Sequence, residues 1–269
     1  MKVSRSIVAA GFFLCLSFIG AAQRSYAPHS VLSSGNWYKI AVKEAGIYKI
    51  DIPFLNSLGI NTSSISSGSI RLYSNGGSML PEANSIFRED DLKENSIMVV
   101  DGGDGVFNGA DYILFYAKGP DDWLKDSAAL SFTHKKNIYT DKAYYFLSVG
   151  GTGKRIASSN NNFSPNVTIN TFSERIFHEL DTVNFLSSGK EWYGEEMANA
   201  PGKSLTRSFT VSVPNIQTNS NLVLQSNLVA RSPGTASHFD VSINNVPLGQ
   251  ININAVGTGQ FDLFAQEVT

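Results

Sequence analysis

Apolar and polar side chains alternate along much of this chain with the two-residue period of half-buried strands. Residues 37–42 alternate, 43–46 supply a turn and 47–52 alternate again, which predicts a β-hairpin with one buried face. Pro53 interrupts pairing. The stretch 54–58, between Pro53 and Gly59, has room for one short helix, because proline suits a first helical turn and glycine the exit. An Asn/Ser/Thr/Gly cluster at 61–68 reads as a loop. Further strands are expected at 70–74, 97–100, 112–117 and 144–149, each followed closely by glycine or proline.

Between 150 and 168 the sequence GGTGKRIASSNNNFSPNVT holds few apolar residues and many turn formers, so it reads as a connection between domains. Beyond it, strands are expected at 205–213, 222–230, 238–243 and 250–253, spaced as in an antiparallel β-sandwich of jelly-roll type. No long stretch has helical periodicity. The expected class is therefore all-β, with two consecutive β-rich domains at 23–149 and 169–269 joined by 150–168. The final run, GQFDLFAQEVT, reads as the start of another strand, so the second domain is expected to continue beyond Thr269.

Residues 1–22 change the picture of where the chain resides. Lys2 and Arg5 precede an apolar run at 7–19, and Gly20-Ala21-Ala22 offers the small residues a signal peptidase reads, so cleavage after Ala22 is expected. The run is short for a bilayer span. Export to the periplasm, the outer membrane or the cell surface follows. The single cysteine, Cys15, lies inside that run after Phe13-Leu14, which does not suit lipid attachment. A mature chain without thiol excludes a cysteine nucleophile, a disulfide framework and a cysteine zinc site. With 269 residues, 42% of them hydrophobic and 16% charged, the chain is long enough to bury a core without disulfides. A net charge of -2 gives no electrostatic basis for binding nucleic acid.

Candidate chemistry concentrates in 97–123, IMVVDGGDGVFNGADYILFYAKGPDDW. Asp101, Asp104, Asn108 and Asp111 are hard oxygen donors, and the glycines among them let the backbone wrap closely, as a structural calcium site requires. The spacing differs from an EF-hand loop, because Gly103 and Gly105 stand where oxygen ligands belong. The same residues also describe a tight hairpin in which Asp and Asn cap backbone groups. His29, His134, His178 and His238 are dispersed, without a GxSxG or HExxH pattern, and read as surface or strand-packing residues. Tyr144-Tyr145-Phe146 and Trp37-Tyr38 suit either a sugar-stacking platform or cross-strand packing. Trp192 and Tyr193, between Gly189 and Gly194 and followed by Glu195-Glu196, read as a docking turn, since two large aromatics are costly to expose alone.

Three segments in order carry a resemblance: SGNWYKIAVKEAGIYKID (34–51), DGVFNGADYILFYAKGP (104–120) and SGKEWYGEEM (188–197). They resemble the N-terminal region of the PorU family of type IX secretion sortases, gingipain-type cysteine peptidases of the Bacteroidetes. The resemblance implies a β-rich region preceding a peptidase domain with a Cys/His dyad. Such a full protein would be a cysteine endopeptidase and transpeptidase that removes C-terminal sorting signals from secreted cargo and attaches the cargo to lipopolysaccharide. No position here matches the dyad, so no catalytic residue carries over. The implied role is a non-catalytic scaffold or docking region, with the downstream peptidase domain, other type IX secretion outer-membrane subunits and secreted cargo as partners. The alternative is a non-enzymatic cell-surface adhesin or carbohydrate-binding β-sandwich.

Overall fold

The computed structural model describes residues 26–128, 131–160, 162, 164–185, 187, 189 and 191–269. The expected signal peptide and Cys15 lie outside them. The described residues form thirteen strands and one short α-helix, so the chain is all-β. No described helix is long and apolar enough to cross a membrane. The chain divides between Ser173 and Glu174 into two units.

In the first unit, β1 (Tyr38–Val42) is followed by β2 (Gly46–Asp51), helix α1 (Ile52–Ser57), β3 (Ile70–Tyr73), β4 (Glu94–Asn95), β5 (Met98–Val100), β6 (Tyr112–Ala117), β7 (Asp122–Asp126), β8 (Ser131–Lys135) and β9 (Ala143–Val149). One sheet has the order β1-β9-β3-β4 and a second β2-β6-β5, all pairs antiparallel. Val42, Ile70, Leu72, Ala143, Tyr145 and Leu147 from the first sheet meet Ile50, Ile113, Phe115 and Ala117 from the second in one buried cluster. Phe115 and Tyr145 touch across it with ring centroids 5.3 Å apart. The first unit is thus a two-sheet sandwich.

The alternation at 37–52 makes two strands, but they do not form the expected hairpin. β1 pairs with β9 and β2 with β6, so the turn between them carries the chain from one sheet to the other. Alternation fixes which face of a strand is buried and leaves its neighbour open. Gly119 accommodates this crossover, since a Cβ there would lie 3.0 Å from the Ala45 nitrogen.

Helix α1 starts two residues earlier than expected because Asp51 caps it, its carboxylate accepting the Phe54 amide at 3.1 Å. It ends on Gly59 at φ +80°, where the Gly59 and Ile60 amides donate to the Asn56 and Leu55 carbonyls and buried Ile60 follows buried Leu55 into the core. The antiparallel pairing of β7 with β8 was not expected from the sequence, although DWLKD and SFTHK carry short alternations.

The start of the expected connection belongs to the first unit. Gly150 donates to Ser69, Gly153 to Gly68, Ile97 to Lys154 and Ile156 to Ile97, in each case backbone to backbone. A Cβ on Gly153 would stand 2.3 Å from the Ile70 carbonyl oxygen, so only glycine fits there.

In the second unit, β10 (Leu228–Ala230) pairs with β13 (Gln266–Val268), and β11 (Ser237–Ile243) pairs with β12 (Val246–Ile253), all antiparallel. Asn244 and Asn245 turn the β11–β12 hairpin at φ +51° and +66°, the pair of positive φ values that a two-residue hairpin loop demands. These strands form two antiparallel ribbons, with β12 of one against β13 of the other. The stretch 205–213 is not strand, and of 222–230 only β10 is. Leu205, Phe209 and Val211 stay exposed, since an alternating segment becomes a strand only where a neighbour completes its backbone hydrogen bonds.

Candidate functional site

The Asp-rich loop connects β5 to β6 and is pinned at its middle. Phe107 is fully buried, its amide donates to the Ile65 carbonyl at 2.9 Å, and the Ser67 amide donates back to Gly105 at 3.0 Å. Around that anchor the acidic side chains hold backbone. Asp101 accepts the Gly103 amide at 3.0 Å, Asp104 accepts Val106 at 2.9 Å and Asp111 accepts Asn108 at 2.7 Å. The Asn108 amide group reaches Asp104 at 3.3 Å. Gly102 and Gly103, both at positive φ, let the chain turn tightly enough for the first of these contacts.

One oxygen of each carboxylate is thus spent on the loop's own backbone. Among the described residues no three His, Cys, Asp or Glu side chains gather to hold a metal ion. The nearby Ser67 hydroxyl, although it makes no hydrogen bond of its own, and the Gly103 amide hold the Asp101 carboxyl below its ordinary range. Asp101, Asp104, Asn108 and Asp111 share one loop, in which the three aspartates cap backbone amides and Asn108 donates to Asp104 and Asp111.

Beside the loop lies a charged cluster that the sequence did not announce. The Arg155 guanidinium donates to the backbone oxygens of Ser67 at 2.7 Å, Ile70 at 3.1 Å and Lys154 at 2.9 Å. Burial lowers its pKa, opposed by the nearby charges of Glu94 and Asp101. Glu94 takes the Arg71 guanidinium at 3.2 Å and the Lys154 amide at 2.7 Å. A single arginine in a glycine-rich run was the available signal, and it was masked by composition typical of a linker.

The histidines each face a carboxylate or solvent. His178 Nε2 lies 2.6 Å from Glu195 with its ring against Phe209, His134 is 3.7 Å from Asp121 and edge-on to Trp123, and His238 is 3.7 Å from Asp240. His29 is exposed. His178 pairs with Glu195 of the segment 188–197, not with the acidic residues adjacent to it in sequence.

The docking turn divides into two roles. Tyr193 exchanges backbone hydrogen bonds with Val183, and its ring packs edge-on against Phe185, which rests on Phe264 beneath the Arg231 guanidinium. Burial raises its pKa. Trp192 is 41% exposed. Of the sugar-stacking candidates, Tyr145 is core and Trp37 packs on buried Tyr73, while the Tyr144 ring carries Lys39 at 3.7 Å.

Fold and geometry together define an all-β protein with a sandwich unit and a ribbon unit, whose clustered polar groups chiefly brace backbone. Comparison with protein families, with characterised proteins and with solved structures returns no match.

Proposed function

We propose that this chain is the non-catalytic scaffold and docking region at the N-terminus of an exported sortase of the type IX secretion system. The full protein would be a gingipain-type cysteine peptidase that cleaves sorting signals and transfers cargo to surface lipopolysaccharide. The observation that carries the reading is where the resembling segments fall. Residues 34–51 become β1 and β2, and 104–120 become the anchored half of the Asp-rich loop together with β6. Those residues build a core and its turns, as expected of a framework and not of a reaction centre. The test combines the chain from Gln23 onward with a separately made downstream peptidase domain. The two should associate, and the chain alone should not turn over a sorting-signal peptide. Turnover by the repurified chain alone, or absence of association, overturns the proposal.

A sugar-binding role draws on one feature, a groove of about 380 Å³ lined by Tyr139, Tyr144 and the 74–80 loop. Its Asn75 and Asn137 amides are already bonded to the backbone of Asp91 and Gly77, which leaves them poorly placed to read sugar hydroxyls. A glycan array that retains the chain through Tyr139 would favour this reading over the scaffold.

A further inference from the structure

Two Asn-Gly pairs stand in this sequence, Asn75-Gly76 and Asn108-Gly109. The pair matters chemically because glycine has no Cβ to keep its amide from the preceding side chain, so the nitrogen can reach the asparagine carboxamide carbon. Attack forms the bond from the glycine nitrogen to Cγ and breaks the Cγ–Nδ2 bond; ammonia leaves with the proton that the glycine amide gives up. The product is a five-membered succinimide. Water then opens the ring at either carbonyl, giving aspartate when the new bond to Cγ breaks and isoaspartate when the original peptide bond breaks. What sets the rate in a folded chain is whether the carboxamide can turn toward the amide and whether that amide is free.

Both asparagines are exposed, so access to water does not separate them; hydrogen bonding does. At Asn75 the carboxamide is held at both ends, Nδ2 donating to the Asp91 carbonyl at 2.9 Å and Oδ1 accepting the Lys93 amide at 3.0 Å. The nucleophile there is engaged as well. The Gly76 amide donates to the hydroxyl of buried Ser74 at 3.0 Å, and a Cβ on Gly76 would meet the Lys118 side chain at 3.4 Å. At Asn108 the carboxamide has a single contact, Nδ2 donating to Asp104 at 3.3 Å. Among the described residues nothing accepts the Gly109 amide, and a Cβ on Gly109 would meet nothing within 4 Å. Turn bonds hold the Asn108 backbone, its N–H on Asp111 at 2.7 Å and its C=O accepting the Asp111 amide at 3.0 Å, but neither involves the carboxamide or the Gly109 amide.

We propose that Asn108 is a site of spontaneous, succinimide-mediated modification in the folded chain, and that the surroundings of Asn75 protect it from the same reaction. This stands independently of the sortase reading. Conversion puts a fourth carboxylate among Asp101, Asp104 and Asp111 and replaces the Asn108–Asp104 bond by a like-charge contact. As isoaspartate it also adds a carbon to the backbone between buried Phe107 and β6. The experiment ages the purified chain from Gln23 onward at mildly alkaline pH, where the glycine amide loses its proton more readily, and follows each Asn-Gly pair by peptide mapping with tandem mass spectrometry. Three hydrogen bonds at Asn75-Gly76 against one at Asn108-Gly109 set an advantage of about tenfold or more for Asn108, given the modest net strength of each bond. In guanidinium, where neither set of bonds exists, the two pairs should convert at similar rates. Asn108→Gln, whose larger ring closes far more slowly, should remove the early acidic product from the ion-exchange profile of the aged chain. The proposal is overturned if the folded chain converts Asn75 as fast as Asn108, or if neither converts although both do in guanidinium. It is equally overturned if the difference between them survives unfolding undiminished, or if Asn108→Gln leaves the early acidic product in place.

Discussion

Replacing Arg155 with alanine tests whether 150–156 is a connection or part of the sandwich. The substitution removes donors to the carbonyls of Ser67, Ile70 and Lys154, and hydrogen bonds from charged groups contribute roughly 1.5–3 kcal/mol each. The Lys154 contact is local, and the half-exposed side chain leaves room for water to replace part of what is lost, so two effective bonds set the scale. Discounted in this way, the loss is about 2–4 kcal/mol, toward the upper end for a single substitution. At roughly 2–4 °C per kcal/mol, the unfolding temperature of the first unit should fall by about 4–16 °C. Arg155→Lys should recover only part of this, because an ammonium lacks the planar fork that reaches two carbonyls together. Urea unfolding and thermal melts supply the numbers, and limited proteolysis adds a second readout. In wild type the first cut should fall beyond Ile156, whereas in Arg155→Ala it should also fall within 150–156. A change below about 0.5 kcal/mol, the scatter of ordinary surface substitutions, would show that the segment is an ordinary connection and that the reasoning is wrong.

The remaining predictions concern the two candidate sites. Tyr193→Ala should lower the unfolding temperature of the second unit by an amount reflecting about 2–4 kcal/mol, since its ring packs on Phe185, while Trp192→Ala should leave it unchanged. The opposite result in differential scanning calorimetry would restore Tyr193 as the docking residue. Asp101, held below 3.8 when folded, binds its proton less readily in the native state than in the unfolded chain. Its stabilising effect is therefore complete at neutral pH and is lost as pH falls below about 4; Asp101→Asn should flatten that acid limb, and an unchanged acid dependence would count against the Gly103 contact. Because the loop carboxylates already cap backbone amides, calcium or chelator should move the melting temperature by less than about 1 °C, and a larger rise with calcium would establish a metal site at Asp101, Asp104, Asn108 and Asp111.

Much of this architecture is local and could be read from the sequence. Alternation at 37–42 and 47–52 placed strands because a pleated backbone sends successive side chains to opposite faces, and short apolar runs punctuated by glycine or proline placed those at 70–74 and 112–117. The Pro53 to Gly59 interval located the helix, since proline fixes φ and glycine alone readily takes the positive φ that ends a helix, and the Asp/Asn/Gly content of 101–111 marked a turn because these residues favour turn conformations. Three features were settled only by tertiary structure. β1 and β2 lie in different sheets, because pairing is chosen among strands far apart in the chain: Lys39 opposes Phe146, and Lys49 opposes Leu114. Arg155 braces three carbonyls, two of them from residues more than eighty positions earlier, and composition cannot register such an acceptor. Tyr193 and Trp192, adjacent and chemically alike, part company because Phe185, itself against Phe264, packs on the Tyr193 ring while Trp192 stays 41% exposed. The sequence determined the local conformations; closing the sandwich decided their partners, since each partner is set by contacts that exist only once distant segments meet.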